Sequence, residues 1–486
     1  MKIAFVYRGA ENLGIEYLSS YLKAAGHETR LFFDPASFSG DRISRIGALA
    51  FFSPDYLELI ARAIMDWAPD LVAYSAYTAS YQWALEVARR VKALHPAPSV
   101  FGGIHVTADP ERVLARNEVD AVVAGEGEGA LLDLVNSLDG GRFTRHDIPN
   151  AGFRIDGEYI INPPRPFIRD VDALPMPDKG MFYEKSKAFS FAYMVMTGRG
   201  CPYKCRYCCN SLYPLLYPNE DHAVRQRSVG NVIEELLPWR AVPRIFTFWD
   251  DVFPTDKVWL DEFIEEYRRH INKPFMCFVH PSRFSEEHAR RLKEAGCFNV
   301  KIGIQTITRA GGKVLGRMSN EEKVREMAAV FDSYGITYSM DHMLDLPGET
   351  EEDLVRTAHM YNEMKPIRVN SHWLSHFPGT PLLEDAVKEG RLTPEREERV
   401  REGIGQTTFM LPADNTVDSA HMLMVLDMIP LLPKSWINCI LEKNRWKRIP
   451  FNKFAHQLLL TVQSLLAGDH EIQSFIRYAL GPKNAP

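Results

Sequence analysis

The chain has 486 residues, 45% hydrophobic and 25% charged, enough for about three domains with cores of their own. Its net charge of −6 argues against a dominant phosphate-binding surface, so nucleic acid is not an expected partner. No uncharged apolar run reaches the roughly 18 residues of a transmembrane segment, and Met1-Lys2-Ile3-Ala4-Phe5-Val6-Tyr7 reads as a buried first strand, not a cleavable signal. Of seven cysteines, four fall within 201–209, while Cys277, Cys297 and Cys439 are scattered like small buried apolar residues. With nothing to mark the chain as secreted, the expected compartment is reducing, hence cytoplasmic.

Residues 1–140 alternate short apolar runs with amphipathic stretches, the pattern of a parallel sheet with crossover helices. Strands are expected at 2–7, 28–33, 71–75, 99–102 and 121–124, and helices at 14–25, 54–67, 80–94, 110–115 and 129–138. Ligands of such sheets bind beyond the carboxyl ends of the strands. The loops there (8–13, 75–80, 102–107 and 125–129) are the polar, glycine-rich ones. Periodicity is lost over 141–185, where Pro163, Pro164, Pro166, Pro175 and Pro177 suggest a stiff linker strapped between domains.

Strand–helix alternation resumes over 186–392 and fits a partial (β/α)6 barrel, whose active residues belong at the carboxyl ends of its strands. The first strand, 191–197, runs into Thr197-Gly198-Arg199-Gly200-Cys201-Pro202-Tyr203-Lys204-Cys205-Arg206-Tyr207-Cys208-Cys209-Asn210. Thiolates at Cys201, Cys205 and Cys208 suit an iron–sulfur cube, each sulfur holding a different iron and the fourth iron left open. Zinc would need a further ligand pair, and only His222 is near. Cys209 is the other candidate ligand, but its place directly after Cys208 should turn it off the same cluster face.

The second strand, 244–248, ends in Trp249-Asp250-Asp251-Val252-Phe253. Paired carboxylates after a buried strand are costly unless hydrogen-bonded or facing a cation. The plainer alternative is an N-cap pair before a helix at 255–270. Strand 275–279 leads to His280-Pro281-Ser282-Arg283, where Arg283 can grip a carboxylate with both nitrogens or pair at the surface with Glu286 or Glu287. Strand 300–304 ends at Gln305, and strand 339–344 at Asp345-Leu346-Pro347-Gly348-Glu349-Thr350. Phe377-Pro378-Gly379-Thr380-Pro381-Leu382 closes the barrel region as a turn. Residues 393–486 read as helices at 394–403, 418–432 and 451–466, expected to help close the substrate side of the barrel. Aromatic and basic residues cluster at 436–448, as at a lipid headgroup contact or on a solvated face.

The Cys-x-x-x-Cys-x-x-Cys loop, with aromatic Tyr207 before its last cysteine, resembles the radical S-adenosylmethionine (SAM) superfamily. The resemblance implies a [4Fe–4S] cluster whose open iron chelates SAM, cleaved by electron transfer to a 5′-deoxyadenosyl radical. It assigns Asp250 and Asp251 to the SAM ammonium, Arg283 to its carboxylate and Gln305 to its ribose, with Tyr207 beside it. It also implies a reductant such as flavodoxin or ferredoxin.

Four N-terminal pieces resemble the cobalamin-binding domain of one class of that superfamily: Asn12-Leu13-Gly14-Ile15-Glu16-Tyr17-Leu18, Tyr74-Ser75-Ala76-Tyr77-Thr78, Phe101-Gly102-Gly103-Ile104-His105-Val106-Thr107 and Gly125-Glu126-Gly127-Glu128. Ser75, Thr78, Gly102, Gly103, Thr107, Gly125 and Glu126 are the contacts implied. The Asp-x-His-x-x-Gly motif of other cobalamin enzymes is absent: Gly9 and Glu11 stand at its Asp and His positions. His105, in a Gly-Gly-x-His turn, reads as a hydrogen-bonded loop residue.

The expected architecture is therefore α/β: a Rossmann-like cobalamin-binding-type domain (1–140), a Pro-rich linker (141–185), a radical SAM partial TIM barrel (186–392) and a helical C-terminal domain (393–486). The expected activity is cobalamin-dependent methylation of an unactivated carbon of a small molecule or lipid. The alternative is a radical cyclase, rearrangement or coupling enzyme of the same architecture, possible without bound cobalamin. No catalytic residue is assigned; Tyr183, Tyr213, Tyr338 and Cys277 are open candidates for quenching the product radical.

Overall fold

The computed structural model describes residues 1–34, 56–186, 189–218, 220, 224–317, 319–405 and 417–468. The first sheet comprises β1 (Lys2–Arg8), β2 (Glu28–Asp34), β3 (Leu71–Ser75), β4 (Ser99–Gly102), β5 (Ala121–Val123), β6 (Ala151–Ile155) and β7 (Glu158–Ile161), in the order β2-β1-β3-β4-β5-β6-β7. Pairing is parallel as far as β5. Each inner strand buries both faces, which is why it reads as an unbroken apolar run. Ile3, Phe5 and Tyr7 face α1 (Leu13–Ala24), with Leu131 and Leu134 of a later helix beside them. Ala4 and Val6 face α2 (Tyr56–Trp67) and α3 (Tyr81–Leu94) on the other side.

The stretch expected to be a linker begins as sheet. β6 joins β5 antiparallel, and β7 returns along β6. The two are joined by Asp156 and Gly157 with φ of 51° and 88°, an Asp-Gly hairpin turn that needs a left-handed backbone at both positions. The rest of the strap is pinned at Lys179. Its buried ammonium lies 2.8 Å from Glu11 Oε1, 2.9 Å from Glu16 Oε2 and 2.6 Å from the Met194 carbonyl. That one cation ties the strap to the first sheet and to the barrel.

The barrel strands are β8 (Ala192–Val195), β9 (Ile245–Phe248), β10 (Phe275–Val279), β11 (Cys297–Gln305), β12 (Thr337–Leu344) and β13 (Arg368–Trp373), parallel and in sequential order. This is the expected partial barrel. β13 escaped the sequence reading because Arg368-Val369-Asn370-Ser371-His372-Trp373 is polar at alternate positions; Asn370 meets Asp341 of β12 across the sheet, Nδ2 to Oδ1 3.0 Å.

The C-terminal helices α4 (Val417–Met428) and α5 (Lys434–Leu441) share the barrel's core through Leu423, Leu426 and Ile437, with Trp446 after them, and α6 (Lys453–Ala467) packs on α4 and β13. They cover the last strand, where the expectation had been closure of the substrate side. Gln463 receives the Val369 N–H (3.2 Å) and donates to the Asp427 carbonyl (2.6 Å), and the Asp427 carboxylate meets His456 Nδ1 at 2.6 Å. An edge strand's open backbone groups are thereby satisfied from a helix. Among the described residues no helix is long and apolar enough to cross a membrane.

Candidate active site between the two sheets

The cluster loop leaves β8 and is stitched to a segment after β11. The Arg206 N–H donates to the Leu315 carbonyl at 2.9 Å, and the Leu382 N–H to the Arg206 carbonyl at 3.1 Å. Gly316 (φ +62°) lies against Arg206, where a Cβ would come within 2.9 Å of its Cγ. Cys205 is buried, Cys201 and Cys208 are half-buried, Cys209 is exposed, and all four are free thiols. Burial pushes the Cys201 thiol up to about 11. A bound metal overrides that cost by holding the thiolate outright. Among the described residues no three His, Cys, Asp or Glu side chains are grouped closely enough to hold a single metal ion. A cube spaces its ligating sulfurs wider, and the Cys201/Cys205/Cys208 donor set fits one. His222 lies outside the described residues.

Asp250 and Asp251 follow β9 and do different jobs. Asp250 Oδ1 accepts from the Thr197 N–H (2.9 Å), the Thr197 hydroxyl (2.9 Å) and the Gly198 N–H (3.0 Å). Its Oδ2 is buried with no partner. Desolvation pushes this carboxyl up to about 7, a shift that a cation hydrogen-bonded at Oδ2 would oppose. Asp251 faces the adjoining cavity and accepts from Asn210 Nδ2 at 2.9 Å; burial raises it too. The helix begins only at Lys257, with Asp256 as its cap, so the Asp250–Asp251 pair is not an N-cap.

Gln305 takes a left-handed backbone (φ +66°) at a register shift ending β11, and Asp345 does the same (φ +67°) after β12. Such strain in non-glycine residues collects at functional sites. Both Gln305 Nε2 and Arg317 Nη2 lie close over Gly303, and Arg317 donates to the Gly303 carbonyl. Arg317 Nη1 also stands 3.7 Å from the Cys205 sulfur. Sequence reasoning missed Arg317, which lies twelve positions beyond Gln305 in no motif it had weighed. Arg283, left open there between the SAM carboxylate and a surface pairing with Glu286 or Glu287, is exposed and reaches Thr255 Oγ1 at 3.5 Å. Tyr207 is half-buried, and its phenol is pushed up by desolvation.

One cavity of about 880 Å³ lies between the two sheets. Its N-terminal wall includes Ser75, Gly102, Gly103, Gly125 and Glu126; its barrel wall includes Cys201, Tyr203, Tyr213 and Asp251. A branch runs down the first sheet between Phe5, Ala73, Val100 and Leu131, a slot lined by small and apolar groups that suits the nucleotide tail of cobalamin. Gly103 (φ +97°) packs against Ala76, whose carbonyl would lie 2.7 Å from an added Cβ. Thr78 and Thr107 stand behind this wall. Thr107 Oγ1 bridges the Gly125 N–H and the Gly103 carbonyl, both at 3.0 Å, and Thr78 meets His105 Nδ1 at 3.3 Å. His105, expected in a loop, sits in a short helix at Ile104–Ala108, buried and tilted against the Tyr81 ring, with its pKa lowered to about 4 by desolvation.

Glu11 points away from this cavity into its bond with Lys179, so no lower cobalt ligand comes from it. Glu126 pairs with Arg225 at 2.6 Å and with Arg199 at 3.5 Å. These arginines come from the short pairing of Gly198–Arg199 with Arg225–Gln226 beside the cluster loop, so ion pairs close the wall between the two halves. Of the four open candidates for quenching a radical, Tyr213 lines the cavity. Tyr338 donates to the Met364 carbonyl at 2.7 Å, while Tyr183 and Cys277 are not part of the wall.

A three-cysteine loop on a partial barrel, opening onto a corrinoid-type sheet, defines a class of enzyme. The model of the B12 binding domain matches residues 4–135, and that of the Radical SAM superfamily matches 195–361. An uncharacterized methyltransferase of Pyrococcus horikoshii is 28% identical over 340 residues, 68% of this chain and 72% of that one. The anaerobic magnesium-protoporphyrin IX monomethyl ester cyclase of Cereibacter sphaeroides is 26% identical over 411 residues, 79% of this chain but 63% of its own length. Among solved structures, the methyltransferase TsrM of Kitasatospora setae, with cobalamin and [4Fe–4S] cluster bound, superposes at a TM-score of 0.62 (19% identity, 80% of this chain, 78% of that one). The cobalamin-dependent enzyme OxsB superposes at 0.64 (17% identity, 99% and 75%). The chain thus carries both domains of the cobalamin-dependent radical SAM enzymes, and the residues present fit a [4Fe–4S] cluster, SAM and cobalamin.

Proposed function

We propose that the chain methylates an unactivated carbon of a small molecule or lipid. The observation that carries this reading is the single cavity, shared by the N-terminal loops, the cluster loop and Asp251. When bound, the cluster and SAM supply a 5′-deoxyadenosyl radical for hydrogen abstraction, and cobalamin supplies the methyl group.

The chain's own residues hold and orient these groups. Cys201, Cys205 and Cys208 ligate the cluster. Asp250 Oδ2 and Asp251 receive the SAM ammonium, Arg317 its carboxylate and Gln305 its ribose, with Tyr207 alongside; Arg283 is left to the surface. Ser75, Gly102, Gly103, Gly125 and Glu126 contact cobalamin, while Thr78 and Thr107 hold those loops from behind. The ion pairs of Glu126 help keep water from the closed wall. We assign the domains as 1–140, 141–185, 186–392 and 393–486, with the β6–β7 hairpin of the second segment belonging to the first sheet. A cytoplasmic setting and a flavodoxin or ferredoxin reductant agree with the free cysteines.

The test is anaerobic turnover with SAM deuterated in its methyl group, on an organic extract, under a low-potential reductant. Deuterium in an extracted product supports methylation. 5′-Deoxyadenosine without label in any product refutes it and favours the second reading, a radical cyclase, rearrangement or coupling enzyme. That reading draws on the similarity to the cyclase over 79% of this chain.

A further inference from the structure

The buried face of helix α6 carries Leu460 and Ala467 with Ser464, His456 and Gln463, the last two engaged by hydrogen bonds to the neighbouring helix and strand. Its outer face carries Phe454, Leu458, Val462, Leu465 and Leu466, with Phe454 70% and Leu466 59% exposed. Residues 454, 458, 462 and 465 recur at helical spacing and form one stripe. Single exposed apolar side chains are ordinary, but a contiguous stripe marks a surface that meets something apolar.

The chain leading into this helix is basic. Lys443, Arg445 and Arg448 are exposed, and the only acid in 434–453 is Glu442, in a protein whose net charge is −6. Lys447 in the same run is occupied by Glu351. Helix α5, just before it, exposes Trp436. Aromatic and aliphatic side chains beside a cationic rim are the composition of helices that lie in the headgroup region of anionic membranes. With no helix among the described residues able to cross a bilayer, such contact is peripheral.

We infer that α6 and its basic rim seat the protein on an anionic lipid bilayer. The apolar stripe enters the acyl boundary, and Lys443, Arg445 and Arg448 meet lipid phosphates. This surface is on a helix packed against α4 and β13, and the inference is separate from the methylation reading.

The test is sedimentation of the full chain with vesicles of phosphatidylcholine alone or mixed with phosphatidylglycerol. The expected result is binding to the mixed vesicles that weakens at high salt and falls at least about tenfold in the double variant Phe454→Asp, Leu458→Asp. Because both side chains are exposed, the variant keeps the iron content and unfolding temperature of the parent. Three vesicle results overturn the proposal: a parent chain that stays in the supernatant with both vesicles, binding indifferent to the anionic lipid, and binding unchanged in the variant. A lipid-free dimer that Leu458→Asp dissociates also overturns it, giving the stripe to a second copy. So does a marked loss of unfolding temperature in a lipid-free monomer of that variant, since protein, including residues 469–486, would then already cover it.

Discussion

Asp250 offers the sharpest perturbation. Its Oδ1 is saturated by three donors and its buried Oδ2 has none, so the carboxylate is held in place with one oxygen able to accept from a cation. Its folded pKa, about 7, is raised above the usual carboxylate value. Between roughly pH 4 and 7 the folded, ligand-free protein therefore binds the extra proton. The stability this group contributes is full at acid pH and is lost as pH rises through about 7. At about 1.4 kcal/mol per tenfold, keeping the charge at neutral pH costs on the order of 4 kcal/mol. An ammonium at Oδ2 offsets that cost only when the carboxylate is ionised. Affinity for SAM should thus rise nearly tenfold per pH unit up to about 7 and then level off. Asp250→Asn keeps an oxygen for the three donors and puts a neutral amide at the other position. It removes a charge-assisted hydrogen bond of about 1.5–3 kcal/mol, weakening SAM about 10- to 100-fold at pH 8 and flattening the pH dependence. Equilibrium dialysis of SAM against cluster-loaded protein, from about pH 6 to 8.5, measures both. Unchanged affinity in the variant, or an equal pH slope, refutes the assignment.

Replacing Cys201, Cys205 or Cys208 by Ser should abolish the cluster's absorption and most of the iron, whereas Cys209→Ser should keep both. Arg317→Gln should retain iron but weaken SAM by about tenfold or more, with Arg283→Gln near the parent value in the same dialysis. Lys179→Met strands Glu11 and Glu16 in the interior and should cost about 3–5 kcal/mol in thermal or denaturant unfolding; adding Glu11→Gln and Glu16→Gln should recover much of it. Gly125→Ala places a Cβ 2.1 Å from the Tyr217 hydroxyl at φ +86°, so it should lose cobalamin retention, measured by absorbance. Tyr217→Phe should restore it only in part, because the backbone strain remains.

The sheet of residues 1–140 was legible because parallel strands buried on both faces leave unbroken apolar runs. Its β3 and β4 fall where the sequence placed them, and the cluster loop was legible because ligand spacing is local. The hairpin of β6 and β7 was hidden by surrounding prolines, although Asp156-Gly157 carried the turn signal. Strand β13 was hidden by side chains that face the barrel interior and so look like loop residues. Arg317 was invisible for a different reason: it reaches Cys205 through a fold-back more than a hundred residues along the chain, and nothing in its neighbourhood marks it. Arg283 was chosen instead because a motif surrounds it, yet the short helical turn at Pro281–Arg283 leaves its side chain in solvent. Glu11 shows the limit most plainly. Sequence identifies a missing histidine, but only the structure reveals that its replacement is spent on a buried ion pair.

The most direct test of the account is anaerobic purification from cells grown with cobalamin, followed by an absorption spectrum and by iron and cobalt counts. The account predicts about four irons per chain, cobalt close to stoichiometric, and loss of the cobalt alone in Gly125→Ala. Four irons with no cobalt, in protein exposed to excess cobalamin, would contradict it and leave the first sheet as a scaffold with another use.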